Sequence, residues 1–422
     1  MTPFDPMQEL PPGTTLIEAS AGTGKTYTIT TLVLRLLLEQ GLRIEEILVV
    51  TFTEAATAEL QHRIRGRLRE ALERFEDPSP SQDELLEALF QRVGPKGRPQ
   101  ALRRLRAALT SFDLAAISTI HGFCKRMLQE NAFESGVLFD TELIADQEPL
   151  LRELVRDFWS QRTHDLDAVF SRYLQDRGVG PESLMSLAWS AADPDLPVLP
   201  SPEEIQGAEQ LDEDALQHHF QAFRVQWSEQ GRVLLSGLLK MRWDLQGMDY
   251  FEDNLRSHAF AVDDYISTAV PHLPPQSLHV FSRTRLLEAA AGKSLPGTLL
   301  IDQISAYLDA VSLASQDKQT RLLRLRRDLV EHIRSKLPEL KETQNIQSFD
   351  DLLHGLRDSL RDPEHGQTLA KTIAKRYRAA LIDEFQDTDP VQYEIFSSCF
   401  AKSGGHLFLI GDPKQAIYAF RG

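Results

Sequence analysis

The sequence predicts an α/β protein, one parallel sheet interrupted by a large, mostly α-helical insertion. Three observations predict it. From Thr14 to Phe133 the pattern runs strand, Gly-rich turn, helix, strand, helix. From Asn131 to about Gln347 that alternation disappears. Long, charged, helically spaced stretches replace it and carry all four tryptophans, Trp159, Trp189, Trp227 and Trp243. At Ala379–Asp383 and Leu407–Ile410 short apolar strand patterns return. Strands that alternate with helices build parallel sheets. The expected division is therefore 1–130 and 347–422 for the sheet domain and 131–346 for the insertion.

Each element has its own signal. Thr15–Glu18 reads as a short strand. Ile29, Leu32, Val33, Leu36 and Leu37 then recur at helical spacing, and Gly41 suits the helix end. Ile47–Phe52 is a continuous apolar, β-branched run, as expected of a strand buried on both faces. Thr53 suits the N-cap of a helix through Arg74. Glu76–Gln100, with Pro78, Pro80, Pro95 and Pro99, reads as an inserted loop around a short helix. Ala115–Thr119 is a strand, and a helix follows from His121. Within the insertion, Pro194–Pro202 reads as a loop. A helix near Val391–Phe400 separates the last two strands.

Bulk properties narrow the function. The chain has 422 residues, 42% hydrophobic and 26% charged, which fits two or three soluble globular domains. The net charge of −16 is a poor global signature for a nucleic-acid binder but leaves room for a local basic groove. Two cysteines, Cys124 and Cys399, are too few for a disulfide framework or a zinc site and fit a reducing cytoplasm. Met1–Leu10 lacks the features of a signal peptide, and the longest apolar run, near Leu32–Leu38, is far below a membrane span. A cytoplasmic protein without a membrane partner is expected.

Two motifs carry chemistry. Ala19-Ser20-Ala21-Gly22-Thr23-Gly24-Lys25-Thr26 fits a phosphate-binding loop with Ala at its first position. Small residues let backbone N–H groups curl around the phosphates of ATP, and the next helix turns its N-terminus to the anion. Lys25 supplies a point charge and Thr26 a hydroxyl ligand for Mg²⁺. The bland reading is a Gly-rich turn with a chance lysine, which the flanking strand and helix disfavour. The second motif is Asp383-Glu384 at the end of the apolar run Ala380-Leu381-Ile382. Ligands of open α/β sheets bind at the carboxyl ends of strands. Asp383 is the expected Mg²⁺ ligand, and Glu384 the base that orients and deprotonates the attacking water. The bland reading here is an acid-rich helix start.

With these residues in view, the sequence resembles the UvrD/RecB group of superfamily-one DNA helicases. Asp383-Glu384-Phe385-Gln386-Asp387-Thr388 looks like that family's second motif, and Gly411-Asp412-Pro413-Lys414-Gln415-Ala416-Ile417-Tyr418-Ala419-Phe420-Arg421-Gly422 its third. Val50–Leu60 is similar to motif Ia, and Ile117–Cys124 to the Thr-x-His segment that follows it. The Thr-Glu-Ala-Ala-Thr-Ala-Glu-Leu run and the sequence Glu18–Thr26 lean towards the RecB branch; the AddA branch is a near relative, and UvrD-type members usually carry Asn-Lys-Ala-Ala. In place of the family's upstream glutamine motif, only Gln8 is available.

The resemblance implies a RecA-like P-loop domain and an ATP-dependent 3′-to-5′ helicase acting in double-strand-break repair with RecC-like and RecD-like partners. It implies that Gln415 contacts the γ-phosphate. It also implies that Tyr418 and Phe420 lie against bases of single-stranded DNA and that Arg421 contacts the strand or the acidic motif. Phe52 and His121 are further DNA-path candidates; core packing is the bland reading for Phe52, Tyr418 and Phe420, which the motif disfavours, and a helix start is that for His121. Stacking on aromatics tolerates any base, as a motor requires.

Three arginine groups remain: Arg63, Arg65, Arg67, Arg69 and Arg74; Arg103, Arg104 and Arg106; and Arg321, Arg324, Arg326 and Arg327. The first two are expected to be solvated or paired, with Glu59, Glu70 and Glu73 among the partners. The third lies in the insertion, which in this family leans over incoming duplex DNA, and a charged helix face is its competing reading. The alternative function is a P-loop scaffold or a kinase-like transferase, for which no acceptor pocket is specified. The family's ATP cleft lies between two α/β domains, and the chain stops at Gly422 just after the third motif. On its own it is expected to bind nucleotide through one half-site, hydrolyse it very slowly and not unwind DNA.

Overall fold

A computed structural model of the chain describes residues 7–19, 24–77, 81–131, 141–164, 166–198, 200–201, 213–268, 274–295, 298–401 and 404–415. The chain divides into two compact units, Met1–Gln147 with Lys341–Gly422, and Glu148–Leu340.

The first unit opens with β1 (Gly13–Glu18), α1 (Lys25–Leu38), β2 (Ile47–Thr51) and α2 (Glu54–Glu76). It continues with α3 (Glu84–Thr110), β3 (Ala116–Thr119), α4 (Ile120–Glu130) and β4 (Glu142–Ile144). After the second unit come β5 (Ile346–Ser348), α5 (Phe349–Arg361), α6 (Gly366–Arg376), β6 (Ala379–Ile382), α7 (Pro390–Phe396) and β7 (His406–Gly411). Five strands form one parallel sheet in the order β1-β7-β6-β2-β3. The expected α/β class with a parallel sheet, drawn from both ends of the chain, is what the structure has.

Alternation along the strands explains the layers. Val49, Leu381, Phe408 and Ile410 face a core shared with Ile29 and Leu32 of α1, Leu60 and Ile64 of α2, and Leu89 and Leu105 of α3. Their neighbours Leu48, Val50, Ala380, Ile382, Leu407 and Leu409 face the opposite core, with Phe123 of α4, Leu356 of α5 and Phe396 of α7. Every residue of β2, β6 and β7 is buried, as the unbroken apolar runs require. β1, at the sheet edge, alternates instead and buries Ile17.

Local signals act as read. Thr53 caps α2 by accepting the Ala56 N–H at 3.1 Å. Gly41, at φ 69, carries the chain past α1, and the Leu42 N–H reaches back to the Leu36 carbonyl at 3.2 Å. The loop expected at Glu76–Gln100 is largely helix instead. Asp83 caps α3 by accepting the Leu86 N–H at 2.9 Å, and the helix bends at Gly94, where φ/ψ is 62/174. Pro95 follows the bend, so its missing N–H falls where a helix start has no partner to lose. Pro95 therefore marks a kink between two helical halves, Pro99 lies within the second half, and Pro78 and Pro80 lie outside the described residues.

Short β4 and β5 pair in parallel, Leu143 opposite Gln347, and Thr141 Oγ1 lies 2.9 Å from Gln347 Oε1. The chain thus leaves the first unit and re-enters it at adjacent points, which lets a long insertion be accommodated without disturbing the sheet.

The second unit is helical. Its helices include Glu148–Thr163, Pro181–Ala191, Glu213–Lys240, Glu252–Ile266 and most of Thr298–Gln344. Phe220, Phe223, Tyr265 and Tyr307 centre its core. The Phe223 and Tyr307 rings stack at 5.4 Å, and the two tyrosine hydroxyls share a hydrogen bond. Trp227 is buried there and donates its indole N–H to Asp263 at 2.7 Å, whereas Trp243 is 82% exposed. Among the described residues, no helix is long and apolar enough to cross a membrane.

Candidate functional site

The parallel register brings the carboxyl ends of the strands out along one edge of the first unit. Glu18 lies opposite Gly411, Ile382 opposite both Leu409 and Val50, and Thr51 opposite Thr119. The candidate residues follow these ends. Ala19 leaves β1 and donates its N–H to the Gly411 carbonyl at 3.0 Å. Gly24, at φ 96 and ψ 33, precedes α1, whose first residues are Lys25 and Thr26. The left-handed backbone at Gly24 costs little without a Cβ. Ser20, Ala21, Gly22 and Thr23 lie outside the described residues.

Lys25 and Glu384 are 359 residues apart in sequence, and their Nζ and Oε2 atoms meet at 2.6 Å. Lys25 is mostly buried and Glu384 about one-third exposed, so the pair sits at the rim of the edge. Glu384 itself takes the left-handed backbone, φ 52 and ψ 42, a conformation that a side chain with a Cβ rarely adopts. That turn of the chain directly after β6 aims its carboxylate at α1.

Asp383 precedes it, anchored by its N–H to the Val50 carbonyl at 2.8 Å. Burial pushes the Asp383 carboxyl up to about 6, and the Glu384 charge adds to this. The Glu384 N–H, 2.9 Å away, and Lys25 act in the opposite direction. A carboxylate this short of compensating charge fits a site for a cation. Thr26 stands in the first turn of α1, on the sheet face that carries the α1 core.

A residue to which the sequence reading assigned no role lies at the centre. Gln386 donates from Nε2 to Glu384 Oε2 at 2.6 Å, and its Oε1 accepts the Asp412 N–H at 2.8 Å. The only sequence signal for it is an amide two places after Glu384 in the acidic motif. Asp412 is buried; its carboxylate accepts the Lys414 N–H at 3.0 Å and its carbonyl the Gln415 N–H at 2.9 Å. The turn carrying Gln415 is thereby built on the end of β7. Tyr418, Phe420 and Arg421 lie outside the described residues.

Phe52 and His121 follow the ends of β2 and β3. Phe52 is half-buried. His121, in the first turn of α4, meets the edge of the Phe349 ring at 5.0 Å. Thr119 caps α4 through the Gly122 N–H and donates its hydroxyl to Glu54 at 3.1 Å. The register thus gathers Lys25, Asp383, Glu384, Gln386 and Gln415 around the ends of β1, β7 and β6, and sets Phe52 and His121 at the ends of β2 and β3.

The arginine groups are largely engaged within their own units. Arg67, 6% exposed, pairs with Glu70 and also with Asp83 at 2.5 Å, beside the Tyr27 ring. Arg74 forms a bidentate pair with Glu87 over the Phe90 ring. The expected partners Glu59 and Glu70 are used, and Asp83 at the N-cap of α3 and Glu87 within it, invisible to helix periodicity, hold the buried arginines. In the helical unit Arg321 pairs with Asp167 over the Phe170 ring, and Arg327 with Glu331 and the Pro200 carbonyl. Arg326 is exposed.

The profile of the UvrD/REP helicase N-terminal domain matches residues 5–422. The RecBCD enzyme subunit RecB of Escherichia coli K12 is 38% identical over 99% of this chain and 35% of its own length. That of Haemophilus influenzae is 35% identical over 96% of the chain and 36% of its own length. That of Mycobacterium tuberculosis is 28% identical over 97% of the chain. The chain spans about a third of the length of the two more similar relatives.

Proposed function

The chain belongs to the UvrD/REP helicase N-terminal domain family, and we propose that it is the ATP-binding front portion of a RecB-type DNA helicase. In this reading 1–130 and 347–422 form the motor domain and 131–346 the insertion. The protein works in the cytoplasm on single-stranded and duplex DNA, moves 3′ to 5′ and serves double-strand-break repair with RecC-like and RecD-like subunits.

The observation that carries the reading is the meeting of Lys25 with Glu384 at the strand ends of one parallel sheet. A phosphate loop and an acidic strand end are each common in isolation; joined at one edge they make a nucleotide hydrolysis site. Lys25 faces the phosphates. Residues 19–26 are the phosphate-binding segment of this reading, with 20–23 outside the described residues. Thr26 and Asp383 would hold Mg²⁺, which when bound would neutralise phosphate charge. Glu384 orients the attacking water and takes its proton.

The resting ion pair has a consequence for order. Lys25 cannot serve a phosphate and Glu384 at full strength together. The anion draws Lys25 away, and the freed carboxylate becomes available to water. Gln415 senses the γ-phosphate, while Phe52, His121, Tyr418, Phe420 and Arg421 line the DNA path. The test is ATP hydrolysis by the full-length protein with and without single-stranded DNA. Stimulation by DNA, lost in Lys25→Ala, is expected. Hydrolysis indifferent to DNA would point to a P-loop scaffold or transferase.

A further inference from the structure

One peptide unit joins three strand ends. The Gly411 carbonyl accepts the Ala19 N–H at 3.0 Å, and the N–H of the same peptide, from Asp412, donates to Gln386 Oε1 at 2.8 Å. From Gln386 the chain of hydrogen bonds continues through Nε2 to Glu384 Oε2 at 2.6 Å and on to Lys25 Nζ at 2.6 Å. It begins at the entry of the phosphate loop and ends at its lysine. Gln386 is the link between the end of β7 and the end of β6.

The fit at Gly411 is tight. A Cβ there would stand 2.5 Å from Gln386 Oε1 and 3.0 Å from the Gln386 backbone nitrogen. Only a residue without a side chain leaves the amide in its place. The Asp412–Gln415 turn is fixed to the same peptide through the Asp412 carboxylate and carbonyl. A shift of that turn is therefore transmitted to Gln386, and by Gln386 to the carboxylate of Glu384.

We infer that Gln386 is a positioning residue that sets the Glu384 carboxylate from the Gly411–Asp412 peptide, so that the turn carrying Gln415 and the Glu384 carboxylate move together. The inference rests on the reading of Glu384 as the base. An amide suits the task because it offers a donor to the carboxylate and an acceptor to the peptide at once. A carboxylate at 386 would keep the acceptor, lose the donor and set a like charge beside Glu384.

The test uses the full-length protein and three variants, Gln386→Ala, Gln386→Glu and Lys25→Ala. Steady-state ATP hydrolysis is measured with and without single-stranded DNA, together with affinity for a fluorescent non-hydrolysable ATP analogue and thermal midpoint. Both Gln386 variants are expected to lose kcat by about 10- to 100-fold, since misplacing a reacting group costs about this much. KM and analogue affinity should stay within about threefold, the pattern of an interaction made only in the transition state. The ratio of DNA-stimulated to basal kcat should fall as well.

Wild-type kcat in either Gln386 variant, with Lys25→Ala inactive, overturns the inference and leaves the ATP site standing. Parallel loss of kcat, analogue affinity and thermal midpoint in both variants also overturns it, because Gln386 would then be holding structure. Wild-type hydrolysis in Lys25→Ala overturns the site assignment and the inference with it.

Discussion

The sheet unit and the helical unit use charge in opposite ways. In the sheet unit, residues from three distant stretches, Lys25, Asp383–Gln386 and Asp412–Gln415, reach one edge because parallel strands all end on the same side. In the helical unit, Arg321, Arg324, Arg326 and Arg327 lie close in sequence on one long helix. A helix turns each residue away from the last, so these arginines point in several directions. Arg321 and Arg327 pair within their own unit. Nearness in sequence makes a charge cluster on paper, whereas strand register makes a site.

The comparison can be broken most directly at Glu384. Glu384→Gln in the full-length protein should keep nucleotide binding and lose turnover by about 10²–10⁴-fold, the range for a general base. Equal loss of binding and turnover would make Glu384 structural. Lys25→Ala comes next. Turnover should fall by about 10²–10³-fold, as when one preorganised charge is removed, and nucleotide affinity should fall with it. Unchanged affinity by equilibrium titration would remove Lys25 from the phosphates.

Arg67→Ala tests whether a buried pair in the sheet unit outweighs charge in the helical one. It leaves Asp83 without its guanidinium and should cost about 2–3 kcal/mol of stability by denaturant unfolding. The pH dependence follows by sign. Burial is the largest single influence and raises the Asp83 carboxyl, but the Arg67 hydrogen bond, the Leu86 N–H, the Arg67 charge and the Tyr27 hydroxyl together hold it below its ordinary value. The stabilisation is then present above the unfolded value near 3.8 and lost as pH falls through the lower folded value. Arg67→Ala should flatten this acid-side slope, leaving only what the Leu86 N–H and the Tyr27 hydroxyl contribute.

Arg321→Ala removes a pair and a ring contact, both partly exposed, and should cost about 1 kcal/mol. A cost as large as that of Arg67→Ala would erase the contrast between the units. The smallest effect belongs to Arg326→Ala. Stability should change by less than about 0.5 kcal/mol. If that exposed side chain meets a DNA phosphate, the slope of log affinity against log salt should fall by about 1.

Local patterns in the chain were sufficient for much of this. The unbroken run Ile47–Thr51 became a fully buried strand, Thr53 a cap, and the α/β class followed from the alternation of elements. These depend on neighbours a few residues away, where steric and hydrogen-bonding rules act directly. The stretch from Glu76 to Gln100 reads as a loop around a short helix because four prolines fall in it, yet among the described residues it is largely helix, with Pro95 after a glycine bend that separates two helical halves. Nothing local distinguishes those cases.

By itself, then, the sequence singled out the residues proposed to bind phosphate and carry a base, since small residues, a lysine and paired acids at strand ends are chemical requirements readable in order. Only the tertiary structure decided that Lys25 meets Glu384, that Asp83 and Glu87 hold the buried arginines, and that Gln386 joins β6 to β7. The reason is that strand order and the left-handed turn at Glu384 arise from packing of the whole unit. Contacts between separate elements, whether 13 residues apart as for Arg74 and Glu87 or 359 as for Lys25 and Glu384, leave no periodicity in the chain.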